Sequence, residues 1–247
     1  MNPTLEAIAR YLVLVAPGII AGAIMLIVAR RESRLRILIY LAMFILLRDA
    51  LTPIKLWSLG TQGFFWMRLY SDPMFLYAFG IGCLGLSLSL YFLDRENQPL
   101  VRWTRGNAAI GVLWSVAAAV VVVAPLMMLY RYTPIELRGG SVLAKNIPAI
   151  LVFAILGNLL EELLFRGYVF GLLVQKMTPL RAGVLSGVVF AFCHIFLATT
   201  VTNVGYPLLI VTLWEGTIVG IVGAKFGVGP ATISHGGAVF LLSSGLI

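Results

Sequence analysis

Charge is the scarcest commodity in this sequence. Of 247 residues only 18 are Lys or Arg and 10 are Asp or Glu, so charged residues make up 11% against 60% hydrophobic. A soluble domain covers its surface with about 25% charged residues. With a mean hydropathy of +0.99, this chain cannot do so, and a soluble globular fold is excluded. Cysteine is nearly absent too: Cys83 and Cys193 both fall inside apolar runs, so no disulfide framework is indicated. The aspartates, Asp49, Asp72 and Asp94, stand at or outside the ends of apolar runs, which argues against an intramembrane aspartyl pair. HExxH is missing, and with it the helical zinc-protease signature. Gly183-Val-Leu-Ser-Gly187 lacks the GxSxG spacing of a nucleophile elbow, and no histidine–aspartate relay accompanies it, so a serine mechanism is disfavoured.

What is abundant is long apolar sequence. Runs lie near 11–29, 35–51, 73–93, 108–130, 147–174, 182–201, 205–224 and 229–247. A helix needs ~20 apolar residues to cross a bilayer. The runs are continuous rather than alternating, which argues against a transmembrane β-barrel. The expected fold is therefore all-α, a polytopic transmembrane helix bundle of about eight spans. The second run is the weakest, because Arg48 and Asp49 interrupt it before Pro53. Residues 52–71, with Trp57, Phe64, Phe65, Trp66, Tyr70, Lys55 and Arg68, read as an interfacial segment at headgroup level. The first run ends in Arg30 and Arg31 without a small-residue cleavage site, as a retained span does.

The net charge of +8 sits in short loops, where it orients a membrane protein, and no nucleic-acid partner is expected. Arg30 to Arg36, Arg95 to Arg105, Lys176, Arg181 and Lys225 follow the odd-numbered runs. They outweigh Arg10, Arg48, Lys55, Arg68, Arg131, Arg138 and Lys145 on the other side. Both termini are expected outside.

Function is to be sought where charge is costly. The fifth run holds Asn158, Glu161, Glu162 and Arg166, the sixth His194, the seventh Glu215 and the eighth His235. Left unpaired, Glu161, Glu162, Arg166 and Glu215 would cost on the order of 10 kcal/mol at membrane depth. Glu162 and Arg166 are four residues apart and share a helix face, so they can pair. Glu161 is rotated by about 100° and faces elsewhere. The two histidines of the chain, on other helices, are its natural companions. A carboxylate with imidazoles in a low-dielectric pocket is a water-activating set, and the same three groups can also hold zinc. Asn158, one turn earlier, can orient a side chain or donate to an oxyanion.

These residues resemble a known family. Glu161-Glu162-Leu-Leu-Phe-Arg166 matches the EExxxR motif of the CPBP (Abi) family, the type II CAAX prenyl endopeptidase-like intramembrane proteases. Phe190-Ala-Phe-Cys-His194 matches its FxxxH motif, and His235 matches the histidine of its third motif. Four residues on, Val239 stands where the family carries Asn or Asp. The glycine-rich approach of Gly216, Gly220, Gly223, Gly227 and Gly229 is also similar. The likeness covers roughly residues 145–247; earlier residues match only as apolar spans.

The resemblance implies Glu161 as general base with His194 assisting, His235 stabilising the oxyanion or positioning water, and Glu162 and Arg166 ordering the site. Phe190 and Glu215 are supporting candidates. The Val239 position is implied to help bind the oxyanion, and Asn158 and Ser243 are the replacements on offer. Two units are expected: residues 1–140, transmembrane helices of unassigned role, and 141–247, the catalytic helical core. The family implies an intramembrane endopeptidase acting on a membrane-anchored protein or peptide, and the compact length fits a bacterial or archaeal cytoplasmic membrane. No cofactor is expected; if a metal binds, Glu161, His194 and His235 are the implied ligands, with zinc the metal. The alternatives are a non-catalytic peptide-binding or immunity-type membrane protein using the same cavity, and a small proton-coupled carrier.

Overall fold

Lipid offers no partner to a backbone N–H or C=O, so apolar sequence in a bilayer satisfies itself by forming helices. A computed structural model describes residues 3–69 and 72–247, and each of the eight apolar runs is helical in it. They form α1 (Pro3–Val28), α2 (Ser33–Asp49), α3 (Pro73–Leu93), α4 (Ala108–Tyr130), α5 (Ile147–Glu162), α6 (Phe170–Leu173), α7 (Pro179–Phe192), α8 (Tyr206–Phe226) and α9 (Val228–Ser243). A π-helical segment, Leu163–Val169, joins α5 to α6 without a break, so both belong to one run. Polar side chains cap the starts of α3 and α4. Asp72 accepts from the backbone N–H of Met74 and Phe75 ahead of α3, and Asn107 accepts from that of Ile110 at α4.

Six helical stretches among the described residues are long and apolar enough to cross a membrane: Leu5–Arg31, Pro73–Leu93, Ala108–Tyr130, Ala144–Leu173, Pro179–Val201 and Tyr206–Phe226. The other two runs are α2 and α9. With 16 residues α9 reaches only ~24 Å, less than the ~30 Å hydrocarbon core. It lies inside the bundle, packed against α4, α5 and α8.

Small residues decide how closely the C-terminal helices meet. Gly183 and Gly187 on α7 face Gly216 and Gly220 on α8, and a Cβ at any of the four would collide with the opposite helix's backbone. Both are small-xxx-small pairs, the arrangement that lets transmembrane backbones touch. At Gly236 a Cβ would strike the carbonyl of Ala154, so the residue after His235 lets α9 lie against α5.

Between α2 and α3 the chain makes a structure not anticipated from its sequence. Trp57–Gly60 (β1) and Trp66–Leu69 (β2) pair antiparallel, Trp57 opposite Leu69 and Leu59 opposite Met67. The aromatic segment is thus a hairpin; Tyr70 lies outside the described residues. Trp57, Leu59, Met67 and Leu69 share the face that lines an internal cavity. From the opposite face Arg68 donates to the carbonyls of Gly140 (3.0 Å) and Leu242 (2.7 Å), fastening the hairpin to the end of α9.

Candidate active site

The cavity has a volume of about 170 Å³ and apolar walls from α2, the hairpin, α5, α8 and α9. Its polar lining is short: Arg48, Asn158, Glu161, His194, Thr212, Glu215 and His235. Every ionisable residue singled out at membrane depth lies here or directly behind it.

Helix geometry separates the two adjacent glutamates as expected. Glu162 is fully buried, and its Oε1 accepts from Arg166 Nη1 and from His235 Nδ1, both at 2.8 Å. Arg166 also donates through Nη2 to the carbonyl of Gly216 (2.9 Å) and stacks over Phe190. A single group of three side chains thus ties α5 and its π-helical extension to α8 and α9. Arg166 occupies that extension, whose wide turns are common at functional sites. Glu161 points the other way and lines the cavity, its Oε2 buried without a hydrogen-bond partner. One expectation is corrected here. His235 was a natural companion for Glu161, but its Nδ1 is bound to Glu162 instead. Its other nitrogen, Nε2, faces Glu215 Oε1 at 3.8 Å, too far for a hydrogen bond.

The FxxxH spacing acquires a physical meaning. His194 donates through Nδ1 to the carbonyl of Phe190, one turn back, at 2.8 Å. A carbonyl can only accept, so Nδ1 carries the hydrogen and the neutral ring keeps its lone pair on Nε2. The Phe190 ring packs on His194 at 4.4 Å and stands edge-on to His235 at 5.3 Å, holding both imidazoles in place. The helix is interrupted here: α7 ends at Phe192, and turns at Cys193 and His194 precede the next helical stretch.

That interruption frees the Cys193 carbonyl, and Arg48 fills it. Arg48 donates through Nη2 to Cys193 O (2.9 Å) and through Nε to Asp49 Oδ1 (2.7 Å). Sequence spacing had placed Arg48 in a loop outside the membrane and read the Arg48–Asp49 pair as a break in a weak span. Both are corrected: the two residues close α2, both are buried, and Arg48 lines the cavity. The available signal was the adjacency of an arginine and an aspartate at the end of an apolar run, which is also how a span ends in water.

The proposed replacements for the missing amide at Val239 are both engaged with their own helices. Asn158 donates through Nδ2 to the carbonyl of Ala154 (2.6 Å), and Ser243 through Oγ to that of Val239 (2.7 Å). Ser243 does not line the cavity; Val239 does, with an apolar side chain. Nor do Glu161, His194 and His235 fit a zinc ion, since no three His, Cys, Asp or Glu side chains converge on a metal position among the described residues.

Residues 143–241 match the family model described as type II CAAX prenyl endopeptidase Rce1-like. No curated protein and no solved structure matches the chain.

Proposed function

We propose, from the match of residues 143–241 to the Rce1-like type II CAAX prenyl endopeptidase family model, that this integral membrane protein hydrolyses a peptide bond in a membrane-anchored substrate with water activated by Glu161. The observation that carries the reading is the division of labour between the adjacent carboxylates. Glu162 Oε1 is held by Arg166 and His235 behind the cavity, whereas Glu161 stands in the cavity wall with its Oε2 unpartnered. Each carboxylate keeps an unpartnered Oε2, but only that of Glu161 belongs to a residue that lines the cavity, where a water and a substrate can reach it.

In this reading a water molecule lies between Glu161 and His194 Nε2. Glu161 takes its proton as the oxygen adds to the scissile carbonyl carbon, giving a tetrahedral oxyanion. Collapse breaks the C–N bond, and Glu161 returns the proton to the departing amine. Each such transfer by a positioned group contributes ~10²–10⁴-fold. His194 orients the water through its unprotonated nitrogen, and Glu162 with Arg166 fixes His235 and the helices that carry it. The low dielectric of the apolar walls strengthens every charge interaction in the site. No step passes through a metal.

The test uses the purified protein in liposomes with a quenched, farnesylated CAAX-type peptide in ¹⁸O-labelled water. The wild type releases fluorescence and places one ¹⁸O in the new carboxyl terminus, 1,10-phenanthroline leaves the rate unchanged, and Glu161→Gln is silent while remaining folded. Equal cleavage by Glu161→Gln overturns the reading. So does a wild type that cuts neither this peptide nor a membrane-anchored peptide without the lipid. In that case Val239 favours the second reading, a protein that binds a peptide in the cavity without cleaving it.

A further inference from the structure

An acyl-transfer site needs a donor for the oxyanion, and the side chain at position 239 supplies none. We propose that Arg48, from the N-terminal part of the chain, is that donor; the inference rests on the hydrolytic reading above.

The case is one of elimination and geometry together. Among the described residues, Arg48 is the only lysine or arginine side chain in the cavity wall. One edge of its guanidinium is fully committed: Nε and Nη2 each lie 2.7 Å from Asp49 Oδ1, and Nη2 also donates to Cys193 O at 2.9 Å. The plane rests on the Phe44 ring at 4.9 Å, so the group has a fixed orientation. The remaining nitrogen, Nη1, is buried and has no hydrogen-bond partner. A buried, unpaired N–H on a charged group is costly to keep. Arg68 Nη2 and Arg166 Nε are also buried and unpartnered, but of these three arginines only Arg48 lines the cavity, where a substrate can bring the partner.

Position agrees with the role. The carbonyl that holds Arg48 belongs to Cys193, the residue before His194. Arg48, Glu161 and His194 line the same cavity. An oxyanion formed beside these two therefore forms beside a preset cation, the arrangement that stabilises developing charge without reorganisation. The other candidates are placed less well. Arg166 does not line the cavity and gives Nη1 to Glu162 and Nη2 to Gly216, His235 gives Nδ1 to Glu162 and turns Nε2 toward Glu215 at 3.8 Å, and Asn158 Nδ2 is held by Ala154.

A guanidinium in a cavity wall can instead anchor a substrate carboxylate, and a buried Arg–Asp pair can simply hold two helices together. Kinetics separates the three roles, using the liposome assay and the farnesylated peptide described above. For an oxyanion donor, Arg48→Met lowers kcat by ~10²-fold or more with KM nearly unchanged. Placing Val239→Asn in that background restores kcat at least several-fold, because it returns a donor from α9. A carboxylate anchor would raise KM and leave kcat alone, and a structural brace would gain nothing from Val239→Asn; either result overturns the assignment. If Arg48→Met does not fold, Arg48→Lys decides. It keeps the charge but cannot hold Asp49, Cys193 and a third partner in one plane, so kcat falls, KM holds, and Val239→Asn again rescues. An Arg48→Lys enzyme with unchanged kcat refutes the proposal. Cleavage by the wild type but not by Glu161→Gln in the same series shows that such a failure belongs to Arg48 and not to the hydrolytic reading.

Discussion

The two ends of this chain meet the membrane differently. Within the most apolar window of Leu5–Arg31 only 17% is buried against the rest of the protein, and 22% for Pro73–Leu93; for Ala144–Leu173 the share is 50% and for Tyr206–Phe226 56%. The N-terminal helices present broad leucine, valine and isoleucine faces outward. The C-terminal ones turn glycine, serine and charge inward and touch at the backbone. In lipid there is no hydrophobic gain in bringing helices together, so association rests on close packing and polar contacts. The C-terminal region has both, and there the intramembrane charges are affordable because each is paired or aimed at the cavity. The exception teaches most: the N-terminal region sends Arg48 into the same cavity, so the site is built from both ends of the chain.

The largest stability effect belongs to the buried network. Arg166→Ala leaves Glu162 and His235 without their cation and costs ~3–5 kcal/mol, read as loss of folded protein in a denaturation series. A loss under 1 kcal/mol would mean the C-terminal core is not held by this network.

A smaller and pH-dependent effect is expected at the end of α3. Burial pushes the Asp94 carboxyl up, but hydrogen bonds from Arg36, Asn97 and Tyr40 outweigh it and hold it below its ordinary value. A carboxyl depressed by folding stabilises the protein above its unfolded value, about 3.9, and that contribution is lost as pH falls through the lower folded value. Wild type should therefore lose stability relative to Asp94→Asn as acid is added below about pH 4. Parallel acid curves would show that this junction does not stabilise α3 against α2. Least of all should follow from Val13→Ala on the outward face of α1, where 75% of the residue is exposed. A change within about 0.5 kcal/mol is expected. A larger one would mean that α1 packs against something, and the contrast would fail.

The C-terminal region was legible because its background is apolar. Against such a background Glu161, Glu162, Arg166, His194, Glu215 and His235 each stand out, and the 100° rotation between neighbours already separates the two glutamates. Which helix each one faces is tertiary information, so the partner of His235 was misassigned. Arg48 stayed hidden because a charge ending an apolar run looks the same whether the run ends in water or inside a bundle. The hairpin was missed because its strands are four residues each, too short for alternation to stand out from an aromatic-rich interface. Asn158 and Ser243 were offered as donors on helical spacing alone. Both instead bond to a carbonyl of their own helix four residues back, a choice open to any such side chain inside a helix.

The central claim is that Glu161 is a base acting on a peptide bond, and it is tested without choosing a substrate in advance. Membranes from cells making wild type or Glu161→Gln at equal abundance are compared by profiling protein termini with mass spectrometry. The account predicts a terminus present only with the wild type, with its longer precursor accumulating in the mutant. Identical termini in the two, with both proteins folded and expressed, would contradict it.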